Sequence, residues 1–235
     1  MKTLIVIPAY NEEKNIEGVI ENVKEVMPAA EILVVDDGSS DQTTLVSQKT
    51  KKATVVTLPY NLGIGGAVQT GFKYAQEHGY ETVVRLDGDG QHLAKGIIKV
   101  IEPILKGEAD LVIGSRFLGL DRPHSVLARR IGQKVIGLLL TIILRQKITD
   151  ATSGFRGYNQ PALNLLNKYY PSDYPEPEEI VFLKKNKFRI KEVAVLMRER
   201  EAGNSSLTAI KSVYYGVKVA LSIFISILRS PILKR

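Results

Sequence analysis

The 235-residue chain contains no cysteine and no tryptophan. Without cysteine it forms neither disulfide bonds nor thiolate metal sites, and it suits a reducing, cytoplasmic setting. An apolar strand pattern directly follows Met1-Lys2, so we expect no secretory signal at this end. The chain has 25 acidic residues against 32 lysines and arginines, which gives a net charge of +7. This charge predicts an anionic partner: nucleic acid, acidic lipid or a phosphorylated substrate.

The sequence also lacks a continuous apolar run long enough to span a bilayer. The C-terminal run Val219–Leu228 supplies about half of the roughly 20 residues that a transmembrane helix needs. On a helical wheel its polar neighbours share one sector, which predicts an amphipathic helix over 207–235 that lies in the membrane interface. A core or dimer-interface helix is the alternative, and a second apolar run, Val135–Leu144, raises the same choice.

Strand-like and helix-like patterns alternate through the rest of the chain. Strands are predicted at Leu4–Ile7, Ile32–Val35 and Thr54–Leu58, in a segment that ends at Asp87, and at Asp110–Ile113. Helices are predicted from about Glu12 (about four turns), near Ala67–His78 and near Ala94–Lys106. This alternation predicts an α/β fold with a mostly parallel central sheet flanked by helices. We expect one domain at 1–206, followed by the amphipathic helix.

Polar clusters follow four of the predicted strands, at residues 8–12, 36–41, 87–92 and 114–116. The carboxyl ends of parallel strands lie at one edge of an open sheet, where ligands collect. Four loops that are distant in sequence are therefore expected to meet around one site.

The segment Asp87-Gly88-Asp89-Gly90-Gln91 carries the clearest chemical signal. Side chains two residues apart in an extended segment point the same way, so the two aspartates are expected to converge on one hard cation. Mg²⁺ or Mn²⁺ is typically held by one or two carboxylates together with substrate phosphates, and the glycines leave room for a phosphate. An acidic turn after a strand is the alternative, because short motifs give many false matches.

Glycines and cations elsewhere in the chain are typical of phosphate binding. Gly63 and Gly65 follow the third strand, but Val68 stands where a dinucleotide fingerprint needs its third glycine, so no Rossmann cofactor site is expected. Arginines near glycine and serine, as at 153–156, suit phosphates, with solvated surface charge as the alternative. No basic stripe with interleaved aromatics is present, which disfavours a nucleic-acid face.

In series, these blocks resemble family 2 glycosyltransferases with a GT-A fold, and among them the dolichyl-phosphate mannose synthase and polyprenyl-phosphate glycosyltransferase group. The matching segments are 7–12 (IPAYNE), 35–41 (VDDGSSD), 61–65 (NLGIG), 87–91 (DGDGQ), 114–116 (GSR), 153–156 (SGFR) and 200–205 (REAGNS). Each segment is weak alone, but together they occur in the family's order and cover nearly the whole chain. By this resemblance, residues 1–206 form the catalytic domain.

The resemblance also implies roles for individual residues. Substrate contacts would come from Pro8, Tyr10, Glu12, Asp36 (at the base), Asp37, Gly63, Asp87, Ser115, Arg129, Arg130, Ser153 and Ser205. The catalytic residues would be Asp89, Arg116, Arg156 and Arg200, with the arginines on donor or acceptor phosphates. The metal, Mg²⁺ or Mn²⁺, would be held on the diphosphate by Asp87, Asp89 and Gln91.

The implied activity is inverting, metal-dependent transfer of a sugar from a nucleotide diphosphate sugar to polyprenyl phosphate. A UDP-sugar is the favoured donor, and GDP-mannose is the alternative donor. A phosphate acceptor is already largely anionic at neutral pH and needs no strong base. Transfer to a hydroxyl of a lipid-linked or surface polysaccharide is one alternative, with Glu178, Glu179 or Asp150 as the base. A scaffold that binds nucleotide sugar or lipid without turnover is another.

Larger members of the resembled family carry C-terminal transmembrane helices, which this sequence lacks. We therefore expect peripheral attachment to the cytoplasmic face of an anionic membrane. The attachment would use the interfacial helix, a small membrane-protein partner or a second copy of the chain.

Overall fold

The computed structural model describes residues 2–119, 127–171, 175–198, 218 and 221–225, with the side chains of the helix at 127–144 described from residue 132. In these residues one sheet contains β1 Thr3–Ala9, β2 Glu31–Asp36, β3 Thr54–Thr57, β4 Thr82–Arg85, β5 Leu111–Ser115, β6 Arg156–Asn159 and β7 Ile190–Ala194. The strand order is β3-β2-β1-β4-β6-β5-β7. Only β6 runs antiparallel to its neighbours within this sheet, so the predicted, mostly parallel α/β fold is confirmed.

Helices cover both faces of the sheet. They are α1 Ile16–Val26, α2 Thr43–Lys49, α3 Gly63–Glu77, α4 Gly96–Leu105, α5 Leu127–Leu144, α6 Gln160–Lys168 and α7 Pro175–Lys185. Side chains alternate between the faces of a strand, so Ile5 and Ile7 of β1 pack with α1 and α4, whereas Leu4 and Val6 pack with α3, α5, α6 and α7. The two apolar cores hold the carboxyl ends of the strands in a fixed arrangement.

Several element boundaries differ from the sequence expectation. The first helix begins at Ile16 rather than near Glu12 and has 11 residues. Asn11 takes a positive φ of 57°, and its side-chain oxygen accepts a hydrogen bond from the Ser40 amide at 2.9 Å, so this segment is tied to the loop after β2. Strand β4 ends at Arg85, which leaves Asp87 in the loop at the sheet edge.

No helix in the described ranges is long and apolar enough to cross a membrane. Near the C-terminus, Ile223 is buried in the core that contains α3 and α5, while Leu221 and Phe224 are more than half exposed. The predicted boundary between 206 and 207, and most of the predicted interfacial helix, lie outside the described residues.

Candidate active site

A cleft of about 460 Å³ opens at the carboxyl ends of β1, β2 and β4. Its lining includes Pro8, Tyr10, Glu12, Asp37, Asn61, Gly63, Arg85, Asp87, Gly88, Asp89, Thr152, Gly154 and Glu176. Three of the four predicted polar clusters therefore meet at one site. The fourth reaches it indirectly, because Arg116 Nη2 donates a 2.8 Å hydrogen bond to the hydroxyl of Thr152.

The carboxylate of Asp87 is held in the cleft from two sides. Its Oδ2 lies 3.3 Å from His92 Nε2 and its Oδ1 lies 3.5 Å from Arg85 Nη2. Burial alone would raise the pKa of Asp87, but the hydrogen bond from His92 and the charges of Arg85 and Arg116 outweigh it and hold the pKa well below its ordinary value. The carboxylate is therefore ionised at neutral pH.

The surroundings of Asp87 fit a divalent cation whose coordination shell is completed by oxygens of a bound ligand. Its Oδ1 is buried and has no hydrogen-bond partner in the described chain. A Cβ added at Gly154 would lie 2.6 Å from Oδ2, so the absence of a side chain there leaves space for the carboxylate. No group of three or more His, Asp or Glu side chains able to hold a metal occurs in the described ranges. Mg²⁺ does not need such a group, because it is also bound by two carboxylates together with phosphate oxygens.

The other two predicted metal ligands are placed differently. Asp89 lines the cleft, and its Oδ1 accepts a hydrogen bond from the Gln91 amide at 3.1 Å. The half-buried Gln91 is not among the residues that line the cleft, and its carbonyl accepts a hydrogen bond from the Arg198 amide at 2.8 Å. Only the two aspartates are brought together at the cleft.

The loops after β2 and β3 form the opposite wall. Asp37 Oδ1 accepts a 2.7 Å hydrogen bond from the Leu62 amide, and burial raises the pKa of this carboxyl. Asp36, which the resemblance placed at the base, is buried and does not line the cleft. It is the last residue of β2, and its carboxylate accepts hydrogen bonds from the Ser39 amide and the Thr44 hydroxyl, so Asp37 occupies the wall instead.

Arg116 joins the loop after β5 to the loop before β6. Its Nε and Nη2 each donate a 2.6 Å hydrogen bond to Asp150, whose side chain is fully buried. Ser115 is also buried, with its Oγ 2.7 Å from Thr149 Oγ1. Neither Ser115 nor Arg116 lines the cleft directly, and the arginine side chain is 18% exposed.

Arg156 and Ser153 point into the protein, which differs from their expected place at a phosphate. The guanidinium of Arg156 is fully buried and donates to Glu179 Oε1 at 2.8 Å and to the carbonyls of Ser153, Ala151 and Glu176 at 2.8–2.9 Å. The hydroxyl of Ser153 donates to a backbone carbonyl at 2.7 Å. Arg156 therefore fastens α7 to β6, and Ser153 fastens the loop before β6 to β5. Neither side chain lines the cleft.

Sequence reasoning missed Arg85, Glu176 and Thr152, which line the cleft. Arg85 had a local signal, because it is the only charge in the buried run 82–86 and lies two residues before Asp87. The other two depend on tertiary contacts. The predicted residues Arg200 and Ser205, and the side chains of Arg129 and Arg130 in α5, lie outside the described residues and stay predictions.

Known proteins that are similar in sequence to this chain include glycosyltransferases. The family described as Glycosyl transferase family 2 matches residues 4–166. UDP-N-acetylglucosamine–dolichyl-phosphate N-acetylglucosaminyltransferase of Methanococcus voltae is 31% identical over 210 residues, which cover 81% of this chain and 83% of the relative. Undecaprenyl-phosphate mannosyltransferase of Micrococcus luteus is 30% identical over 216 residues, covering 88% of each chain.

Solved structures share the fold. Glucosyl-3-phosphoglycerate synthase of Mycobacterium tuberculosis, in complex with Mn²⁺, UDP and phosphoglyceric acid, aligns with a TM-score of 0.73 at 19% identity over 96% of this chain and 78% of that one. Its complex with Mg²⁺ and UDP gives the same TM-score at 20% identity over 96% and 79%. The predicted resemblance is thus confirmed: this chain belongs to glycosyl transferase family 2 and has the GT-A fold.

Proposed function

We propose that the protein transfers a sugar from a nucleotide diphosphate sugar to polyprenyl phosphate, with inversion at the anomeric carbon. The observation that carries this proposal is the single cleft that places Asp87 and Asp89 beside the wall formed by Asp37 and Gly63. Relatives that cover more than four fifths of the chain are named as transferases to dolichyl or undecaprenyl phosphate. We propose a UDP-sugar first and GDP-mannose second as the donor.

The leaving diphosphate needs compensation of its charge. A Mg²⁺ or Mn²⁺ ion bound by Asp87 and Asp89 would supply this as a Lewis acid. Asp87 is kept ionised and in place by Arg85 and His92. Arg116, whose charge acts on Asp87, adds positive potential beside the diphosphate.

The carboxylates expected as bases for a hydroxyl acceptor support a phosphate acceptor instead. Asp150 and Glu179 are buried and each is paired with an arginine. Glu178 does not line the cleft. A phosphate acceptor needs no proton removed by a strong base, so the reaction requires none of these three groups.

Attachment to a membrane belongs to the same proposal. Helix α5 exposes Val135, Leu138 and Ile142, which are 60%, 62% and 68% accessible and lie along one side of the helix. An apolar stripe on a protein with a net charge of +7 suits the interface of an anionic bilayer, where a polyprenyl phosphate presents its head group. We propose peripheral binding at the cytoplasmic face.

The test is transfer of label from a panel of radiolabelled nucleotide sugars into undecaprenyl phosphate in vesicles, with Mn²⁺ or Mg²⁺. We expect label in the organic phase with wild type and metal, and a loss of about 100-fold or more for Asp89→Ala. Binding of a nucleotide sugar with label entering only a glycan would replace the lipid acceptor with a hydroxyl. Binding without transfer to either acceptor would favour a scaffold.

A further inference from the structure

A buried ion pair lies in the floor of the cleft, beside the proposed metal site. The Arg85 side chain is 2% exposed, and its Nη2 donates a 2.7 Å hydrogen bond to Oε1 of Glu176. The same nitrogen lies 3.5 Å from Oδ1 of Asp87. One guanidinium nitrogen therefore sets the position of the Glu176 carboxylate relative to the carboxylate proposed to hold the metal.

Glu176 faces the cleft with an oxygen that has no hydrogen-bond partner among the described residues. Its side chain is 13% exposed, and Oε2 makes no hydrogen bond or ion pair with any residue that the structure describes. The backbone at this position is fixed, because the carbonyl of Glu176 accepts a 2.9 Å hydrogen bond from Arg156. A carboxylate oxygen that is open to the cleft accepts hydrogen bonds, so a ligand that fills the cleft can bring a donor to it.

The order of residues along the cleft identifies that ligand group. Asp37 and Gly63 follow β2 and β3, at one end of the strand order, whereas Gly154 precedes β6 and Glu176 is bonded to the first residue of β6. Asp87, after β4, lies between these two sets. In a nucleotide diphosphate sugar the diphosphate likewise separates the nucleoside from the sugar. With the diphosphate at Asp87, the sugar falls at Glu176.

We propose that Arg85 and Glu176 form the sugar subsite, in which the Glu176 carboxylate accepts hydrogen bonds from hydroxyl groups of the transferred sugar and Arg85 acts as a positioning residue. Sugar hydroxyl groups are hydrogen-bond donors, and an ionised carboxylate accepts charge-assisted hydrogen bonds from them. A phosphate group would be repelled at the same place. The inference rests on the proposed nucleotide-sugar donor and adds the residue that selects the sugar.

The test compares nucleotide with nucleotide sugar by isothermal titration calorimetry on the full chain with Mn²⁺. The probes are UDP-glucose, UDP-N-acetylglucosamine and GDP-mannose, each paired with UDP or GDP. Glu176→Gln keeps the size of the side chain but removes its charge. For the nucleotide sugars that wild type binds, we expect affinity to fall about 10-fold or more, with less than about a twofold change for the free nucleotide.

Two further variants make the comparison specific. Glu102→Gln also removes a carboxylate that is paired with a cation, Lys106, but on the exposed surface of α4, so it should bind every probe like wild type. Arg85→Lys keeps the charge but loses the planar geometry, and it should weaken nucleotide-sugar binding more than nucleotide binding. The retained affinity for free nucleotide shows that each variant is folded.

Three results would overturn the sugar subsite. They are unchanged nucleotide-sugar affinity in Glu176→Gln, an equal loss for free nucleotide, and a fall in kcat with unchanged donor affinity, which a base acting on the acceptor predicts. Failure of the proposed acceptor looks different: no label enters undecaprenyl phosphate, yet Glu176→Gln still separates nucleotide sugar from nucleotide. That outcome would remove the lipid acceptor and support the subsite.

Discussion

Replacing Gly154 by alanine would place a methyl group against the proposed metal ligand. A Cβ at this position would lie 2.6 Å from Oδ2 and 2.7 Å from Oδ1 of Asp87, whereas ordinary van der Waals contact begins near 3.4 Å. The carboxylate must therefore move by roughly 0.8 Å. Gly154 is not among the residues with positive φ, so alanine suits the backbone and the effect comes from the contact alone.

The displacement is resisted on two sides, because His92 lies 3.3 Å and Arg85 3.5 Å from the oxygens of Asp87. Overpacking of this kind costs about 1–3 kcal/mol of unfolding free energy. For a chain of this length the corresponding fall in Tm is roughly 2–12 °C. A misplacement on the order of 1 Å at a reacting group costs about 100-fold in rate. The variant should therefore stay folded while its activity falls about 100-fold.

The assay is Mn²⁺-dependent binding of UDP and GDP by calorimetry, with Tm measured on the same samples. We expect Gly154→Ala to stay folded and to bind nucleotide about 10- to 100-fold more weakly. Gly18→Ala is the matched control, because Gly18 is exposed on α1 and its added Cβ would meet nothing within 4 Å. Alanine should stabilise the helix there by about 0.5–1 kcal/mol. A folded Gly154→Ala protein that binds nucleotide with Mn²⁺ as tightly as wild type would refute the placement of the metal at Asp87.

Two further predictions concern the membrane and acid stability. Leu138→Glu on α5 should weaken co-sedimentation with anionic vesicles about 10-fold. Leu45→Glu on α2, where the leucine is 55% exposed, should not weaken it. Equal vesicle binding by both variants would contradict membrane binding through α5. Burial raises the pKa of Asp110, but hydrogen bonds from Arg189 outweigh it, so the folded pKa lies below the unfolded value near 3.9. The stabilisation is complete above that value and is lost as pH falls through the folded pKa, so Asp110→Asn should lower Tm at pH 7 and have a smaller effect near pH 2. An equal loss of Tm at both pH values would contradict this linkage.

The parts of the site that are local in sequence were predictable. Asp87 and Asp89 lie two residues apart just after an apolar run, which places both in the loop at the carboxyl end of β4, where ligands collect. The fold class was predictable for the same reason, because strand and helix periodicities alternate through residue 115. The predicted helix near 67–78 begins earlier, at Gly63, where a φ of +81° that glycine tolerates allows the chain to turn into the helix.

The parts that depend on long-range contacts were not predictable from spacing. Glu176 reaches the cleft through its hydrogen bond with Arg85, 91 positions earlier in the chain. The segment 175–179 reads as an acidic helix start, and nothing local shows that Glu176 faces the cleft while Glu179 is buried against Arg156. An arginine beside serine and glycine has the same sequence pattern whether it binds a phosphate or fastens two loops together.

The reversed direction of β6 explains why the cleft has two different walls. Parallel strands bring only their carboxyl ends to the edge where Asp37 and Asp87 lie. Because β6 is antiparallel to β4, with Arg85 opposite Arg156, its starting end lies at that same edge, and Gly154 arrives directly against Asp87. Arg156 then fastens the first turn of α7 to this strand and carries Glu176 to the cleft. The proposed nucleotide wall and Glu176 of the proposed sugar subsite therefore come from separate parts of the sequence, so Glu176 can change without disturbing the loops that would hold the nucleotide.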